Sequence, residues 1–422
     1  MAKQAKQWGA IIVMIALFAM IAFVTNLCNP MATIIKAQGD ISNVLAQIGN
    51  YGNFGAYLLM GIPAGMLISK FGYKKTALIG LCVGIAGILI QWSSSFFDPQ
   101  TDGVGTIFAI YLCGALISGM CMAILNCVVN PMLNLLGGGG NGGNQLIQVG
   151  GVFNSAAAVA CYILMGALIG EASKAKMADA TPALMIALAV FVVAFAVICF
   201  TKIDEPEQAP VDLTMIPKAL SYRHFALGAL GIFLYMGIEV GVPNFVDKYL
   251  VNEMNIPAAT SGLLVAVYWA SMMIGRFVGA SIGSKVSSRA MITTVSIATL
   301  LLVGFGMFAP NTISVEFPGV DWGKMEVIWQ AVPVGIFAML LVGLCTSVMW
   351  GAIFNMAVEG LGKYTAIASG IFMACVCGGA VLQFTQAYVA DLFGYIPSFW
   401  VVMFCAAYLL FYAQIGSRIS KK

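Results

Sequence analysis

The sequence predicts an all-α polytopic membrane protein, with twelve transmembrane helices in two pseudo-symmetric six-helix bundles. Three observations lead there. Of 422 residues, 61% are hydrophobic and only 9% are charged, with a mean hydropathy of +0.95, whereas a soluble domain carries about 25% charged residues. The apolar residues gather into long runs, each close to or beyond the ~20 residues that cross a bilayer. A polar stretch near the middle divides those runs six and six.

In chain order the runs cover 8–36, 42–70, 75–97, 104–136, 143–171, 180–202, 223–252, 258–285, 289–310, 325–358, 363–391 and 394–417. Charges and Gly or Pro clusters bound them. The first run follows Lys3 and Lys6 and continues past Cys28 and Pro30 without a small-residue cleavage site, so it is read as a retained helix and not as a signal peptide. The polar stretch, IDEPEQAPVDLTMIPKALSY at 203–222, holds four acidic residues and three prolines. The expected organisation is an N-terminal bundle over 1–202, a cytoplasmic linker over 203–222 and a C-terminal bundle over 223–422. A faint internal repeat agrees with it. GIPAG (61–65) and GRFVG (275–279) match at an offset of 214, and Asn130, Leu136 and Gly137 match Asn355, Leu361 and Gly362 at an offset of 225. Offsets near half the length suggest a duplicated six-helix unit.

Assigning Lys and Arg to alternate sides puts 14 on the side of both termini and five opposite: Lys36, Lys174, Lys176, Lys248 and Lys324. Short loops rich in positive charge stay inside, so both termini are expected in the cytoplasm. Other function classes fall on composition. A net charge of +3, scattered along the chain, makes no nucleic-acid footprint. His224 is the single histidine, which excludes any metal site needing two imidazoles. The eleven cysteines lie within the apolar runs and are expected to be small buried packing residues. No cofactor is implied.

Amides in hydrocarbon cost free energy unless they face protein or water, so their distribution marks the helices that line a cavity. Segment one carries Asn26, Asn29 and Thr33 on one helical face, and segment two carries Asn50, Asn53 and Tyr57. Asn126, Asn130 and Asn134 line segment four, and Gln145, Gln148, Asn154 and Ser155 follow in segment five. Segment three has only Gln91, and segment six none. The alternation returns with Glu239 and Asn244 in segment seven, Asn355 in segment ten, and Gln383 and Gln386 in segment eleven. Every third segment therefore reads as lipid-facing. A single amide serves equally well as interhelical glue, at about 1 kcal/mol. Stripes beside Pro30 and Pro131 favour a pathway, because proline frees a carbonyl that water or polar groups must satisfy.

Two ionisable residues stand deep in the apolar runs. Glu239, within FLYMGIEVGVPNF, is a candidate for ion coupling, since a bare carboxylate there must be protonated, paired or hydrated. A structural carboxylate bonded to a neighbouring helix is the alternative. Arg276, within GRFVG, reads as a structural gate that binds helix-end carbonyls. Tyr51, Phe54, Tyr57, Tyr235, Tyr268, Trp269 and Trp350 share the polar segments. Aromatic faces beside amide donors and acceptors are the chemistry of a neutral polyol site. LGGGGNGG (136–143) lacks a following Lys-Ser/Thr and reads as a flexible turn rather than a phosphate cradle.

Six strings carry a family likeness: NYGNFGAYLLMGIPAGMLISKFGYKK (50–75), NCVVNPMLNLLG (126–137), FNSAAA (153–158), YMGIEVGVPNFVDKYL (235–250), MIGRFVGASI (273–282) and SVMWGAIFNMAVEGLGKYT (347–365). They resemble the fucose:proton symporter family, the sugar-permease branch of the major facilitator superfamily. The resemblance implies the major facilitator fold, with segments 1, 4, 7 and 10 around a cavity and 3, 6, 9 and 12 outside. It implies a secondary active transporter of a small sugar, a hexose or hexose derivative, working by alternating access in a bacterial inner membrane. Its departures bear on coupling. Asn29 stands where the family typically has an aspartate, Asn126 where it has a glutamate, and Gly151 where it has a glutamine. Amides keep the hydrogen-bonding shape but do not titrate.

Three coupling schemes follow: a proton carried at Glu239, sodium held by amide and carbonyl oxygens, or uncoupled facilitation. The expected substrate contacts are Asn29, Asn126, Asn130, Asn154 and Asn355, with Gln148, Gln383 and Trp350 beside them. The expected partners are a sugar, a co-transported proton or sodium ion and the lipid bilayer, with no nucleic acid and a monomeric state. An exporter of small hydrophobic or cationic compounds would favour more carboxylates in the cavity. An enzyme would need a cluster of nucleophile and base, which His224 alone does not supply. A sensor would carry a soluble output domain, but the longest loop has about 20 residues.

Overall fold

A computed structural model describes residues 7–37, 39, 41–97, 99–138, 140–169, 176–203, 205, 213–282, 286–310, 312–321 and 326–419. Eleven helices there are long and apolar enough to cross a membrane, and one of them, Ile48–Phe96, is 49 residues long. Gly72 breaks it with φ +78°, a conformation open to glycine and costly for residues with a Cβ. The break yields two spans, α2 (48–71) and α3 (73–93). The others are α1 Trp8–Lys36, α4 Val104–Leu136, α5 Gly140–Ile169, α6 Thr181–Phe200, α7 Arg223–Glu253, α8 Ala258–Ile282, α9 Ser288–Phe308, α10 Val334–Val358, α11 Ile367–Phe393 and α12 Tyr395–Gly416. The expected twelve spans are therefore present, with α2 and α3 joined as one bent helix.

α1–α6 pack on one another, as do α7–α12, and the two sets meet mainly where α5 crosses α8 and where α2 crosses α11. Lipid tails are as apolar as leucine, so close approach of backbones, rather than expulsion of water, holds such helices. Glycines make the approach. A Cβ on Gly61 of α2 would stand 2.5 Å from the Ala374 nitrogen of α11, and one on Gly262 of α8 would stand 2.5 Å from the Tyr162 carbonyl of α5. α6 and α9 lie at the periphery: 28% and 22% of their most apolar windows are buried, against 72% for α7. That ordering follows the polar distribution along the chain.

The segment after α6 anchors the α2–α3 bend. Glu205 accepts the main-chain N–H of Tyr73, and that of Lys74 at 2.9 Å. It thus caps the positive end of α3. Lys74 in turn donates to the carbonyls of Cys199 and Thr201 at 3.0 and 2.8 Å, closing the end of α6. Farther along, Ile216–Leu220 is a short helix leading into α7.

Several sequence expectations need correction. Segment ten does not start at 325. Residues Ser314–Asp321 (β1) and Glu326–Pro333 (β2) form an antiparallel hairpin, and the helix begins at Val334. EVIWQAVP alternates in exposure, and Val332 is buried while Val327 and Trp329 face outward; this period of two belongs to a strand, although the residues are apolar enough to extend the helical run. The glycine run continues as helix from Gly140, one turn before the expected start of segment five. Cys82, Cys113 and Cys199 are exposed on α3, α4 and α6 rather than buried. Lys3, Lys6, Lys174, Lys285, Lys324, Lys421 and Lys422 lie outside the described residues.

Candidate functional site

Polar side chains collect between the two bundles at two levels. One level lies toward the chain termini, where α4 ends and α10 ends. The other lies at the opposite face, where α1 ends and α7 ends.

The opposite face is sealed. Asn29 is buried, donates to the Tyr162 hydroxyl at 2.9 Å and accepts from Asn50 at 2.8 Å. Asn50 also donates to Gln47 at 2.6 Å. From the other bundle, Asn244 donates to Gln47 Oε1 at 2.9 Å and to Gln383 Oε1 at 2.5 Å. Gln383 is fully buried. Two expected substrate contacts, Asn29 and Gln383, thus belong to this seal in the conformation described. An outer layer adds Lys36, which donates to Asn43 at 2.5 Å and to Tyr395 at 2.8 Å. Asp391 of α11 accepts the main-chain N–H groups of Asn43 and Val44 at 2.8 and 3.1 Å.

Beneath the amides sits a charge pair. Lys248, counted from the sequence among the loop lysines, is 1% exposed, and its Nζ lies 3.0 Å from Asp247. It also donates to the Asn29 carbonyl at 2.9 Å and to Thr33 Oγ1 at 2.8 Å. Asp247 accepts from Ser261 at 2.6 Å. Asp247, Lys248, Gln47 and Tyr162 were not among the expected site residues. The signal was present: two charges in VDKYL fall before the apolar run of segment seven is over, and charge inside a span is a functional marker. Their position near its end made a loop the simpler reading.

At the other level the same residue types retain exposure. Asn126, Asn130, Gln148, Asn154, Glu239, Arg276 and Trp350 are half-buried, and Asn355 is exposed. Asn126 donates to the Tyr57 hydroxyl at 2.7 Å, and Asn130 to the Asn126 carbonyl at 3.2 Å. Trp350 meets Tyr235 and Phe372 edge-on, with centroids 6.2 and 5.4 Å apart. Tyr57 and Asn126 thus join α2 to α4 in one bundle, and Tyr235 and Trp350 join α7 to α10 in the other. Asn355 lies beyond them, toward the exposed end of α10, and Gln148 stands one turn before Gly151 on α5.

Glu239 occupies the break in α7. Pro243 lacks an N–H, so the carbonyl four residues earlier, that of Glu239, loses its helical donor. Tyr268 of α8 supplies a replacement at 3.0 Å and lies 3.1 Å from Thr346 of α10. The Tyr235 hydroxyl, one turn before Glu239, donates to the Thr346 carbonyl of α10 at 3.4 Å. Arg276 crosses from α8 to α5, where it binds the Gly151 carbonyl, Ser155 Oγ at 3.0 Å and Asn154 Oδ1 at 3.3 Å. Asn154 also donates to the Phe18 carbonyl at 2.9 Å. Gly151 has a structural reason here: the guanidinium lies 3.2 Å from where a Cβ would stand.

The comparisons with known proteins agree with this architecture. The Major Facilitator Superfamily matches residues 11–384. The chain is 28% identical over 413 residues to a glucose/galactose transporter of Brucella abortus (strain 9-941), covering 95% of this chain and 92% of the relative. It is 22% identical over 449 residues to the L-fucose-proton symporter of Escherichia coli (strain K12), covering 99% and 96%. The crystal structure of a Major Facilitator Superfamily transporter, FucP, in the outward conformation superposes with a TM-score of 0.69 at 19% identity, covering 97% of this chain and 98% of that one. Twelve spans in two packed sets, broken helices at the interface and this likeness lead to one conclusion: the chain belongs to the Major Facilitator Superfamily.

Proposed function

We propose that the protein is a secondary active transporter that carries a small sugar, a hexose or hexose derivative, together with a cation across a bacterial inner membrane. The bundles 1–202 and 223–422 alternate access about the linker 203–222. The observation that carries the reading is the convergence of neutral amides and aromatic faces from both bundles on one interface, a surface suited to a polyol and poorly suited to a lipid. The names of the relatives, which are aligned along more than nine-tenths of their lengths, support a sugar as cargo and a proton as a coupling ion. With the termini in the cytoplasm, the sealed face is periplasmic and the conformation is inward-facing.

In this reading Asn126, Asn130, Asn154 and Trp350 contact the sugar, with Gln148 and Asn355 along the exit. Asn29 and Gln383 join when the seal opens. Glu239 carries the proton, and Arg276 gates α5 against α8. The protein works as a monomer, since the whole cleft lies within one chain. Uptake of a panel of labelled monosaccharides into proteoliposomes, with proton and sodium gradients imposed separately, tests the proposal. Accumulation of a hexose under a proton gradient supports it, accumulation only under sodium moves the coupling to the amide oxygens, and no accumulation of any sugar overturns it.

A further inference from the structure

We propose that Asp247 and Lys248 form a positioning pair for transport: Lys248 clamps the Asn29–Thr33 stretch of α1, and so holds the bundles shut on the face away from the termini. The proposal rests on the alternating-access reading above and adds the group that sets which face is open.

A lysine near the end of a membrane helix ordinarily extends its four-carbon stem outward and leaves its ammonium in water. Lys248 turns inward instead. An ammonium has three N–H donors, and this one meets three oxygens, Thr33 Oγ1 at 2.8 Å, the Asn29 carbonyl at 2.9 Å and Asp247 Oδ2 at 3.0 Å. Two of those oxygens belong to the opposite bundle. Asp247 spends its other oxygen on Ser261 of α8. One ion pair therefore ties α1, α7 and α8 together, and charge-assisted bonds are about twice as strong as the neutral amide bonds around them.

Opening the clamp requires water to replace the α1 oxygens on the ammonium. A void of about 10 Å³ adjoins the pair, lined by Pro30, Thr33, Tyr162, Asp247, Val251 and Ala258 among others, with space for about one water molecule. Hydration can begin there. Removing the ammonium leaves Asp247 buried without a counter-charge, which favours the state in which this face is wet.

The test uses the full-length protein in oriented proteoliposomes with Val251→Cys as reporter, since Val251 lines the void and is buried. An impermeant maleimide is added on the face away from the termini, and labelling is read peptide by peptide. Lys248→Met is expected to raise the labelling rate at least about tenfold, with Lys248→Arg returning it toward the parent. For sugar offered on that face, the half-saturation concentration should fall in Lys248→Met, because a larger fraction of carriers is competent to bind. Unchanged labelling, or a lost maximal rate at unaltered half-saturation, overturns the proposal. Thr33→Val removes a single oxygen and is expected to raise labelling about threefold; should Lys248→Met fail to fold, no change in Thr33→Val overturns the proposal as well. Labelling needs no sugar, so it remains decisive even where the sugar assignment fails.

Discussion

The seal and the half-exposed crevice are built from the same side chains and behave differently. In the seal, Asn29, Gln47, Asn50, Asn244 and Gln383 bond to one another, and the Asn244–Gln47 bond crosses from one bundle to the other. In the crevice, Asn126 and Asn130 bond to carbonyls of their own helix and to one tyrosine. An amide that pairs with another amide closes a surface, whereas one that keeps a face uncovered presents it to solute. Exchanging amide–amide bonds for amide–hydroxyl or amide–water bonds changes free energy little, since the net worth of each is about 1 kcal/mol. A seal of this kind is easily unmade, and the charge pair beneath it supplies the stronger restraint.

The contrast can be broken at its two ends. The largest effect is expected at Glu239, where Glu239→Gln keeps the shape and removes the titrating group. Uphill accumulation in proteoliposomes should disappear while counterflow exchange persists; preserved accumulation would take Glu239 out of coupling. Next comes Asn126→Ala, expected to raise the half-saturation concentration for sugar on the order of ten- to a hundredfold, since a site built to bond hydroxyls loses most when a partner goes. An unchanged uptake curve would show that the crevice amides do not touch the substrate.

A smaller effect is expected at the seal. Gln47→Ala deletes the acceptor shared by Asn50 and Asn244 and should speed labelling of the Val251→Cys reporter about threefold. Equal rates would mean that the amide layer contributes nothing beyond the ion pair. Smallest is Glu205→Ala, which removes the cap of α3 and should cost about 1 kcal/mol, seen as a fall of about one degree in the detergent melting temperature. No fall would show that the α2–α3 bend holds without its cap.

Much of the architecture was legible in the sequence because the bilayer imposes it: span length, the amide-poor α6 and α9, and the polar α1, α4 and α7 are all consequences of what hydrocarbon tolerates. The β1–β2 hairpin was missed because Val327, Ile328 and Trp329 read equally as apolar helix and as strand. Among the candidate residues, single-helix stripes pointed to Asn126 and Asn130, whose own helix supplies partners. Stripes could not tell which residues would be consumed by partners elsewhere in the chain. Asn29 meets Tyr162, 133 residues away, and Asn244 meets Gln47, 197 residues away. Lys248 depends on the same long-range geometry, because its charge is tolerable only beside Asp247 and the oxygens of α1.

The glycine crossings have a mechanical consequence. At Gly61 against Ala374 and at Gly262 against Tyr162, main chain lies directly on main chain. These points act as bearings: the halves can roll across them without disengaging anything, so the work of reorientation falls on the amides and the ion pair. A methyl group at either glycine would wedge the bearing and freeze the carrier or push its halves apart.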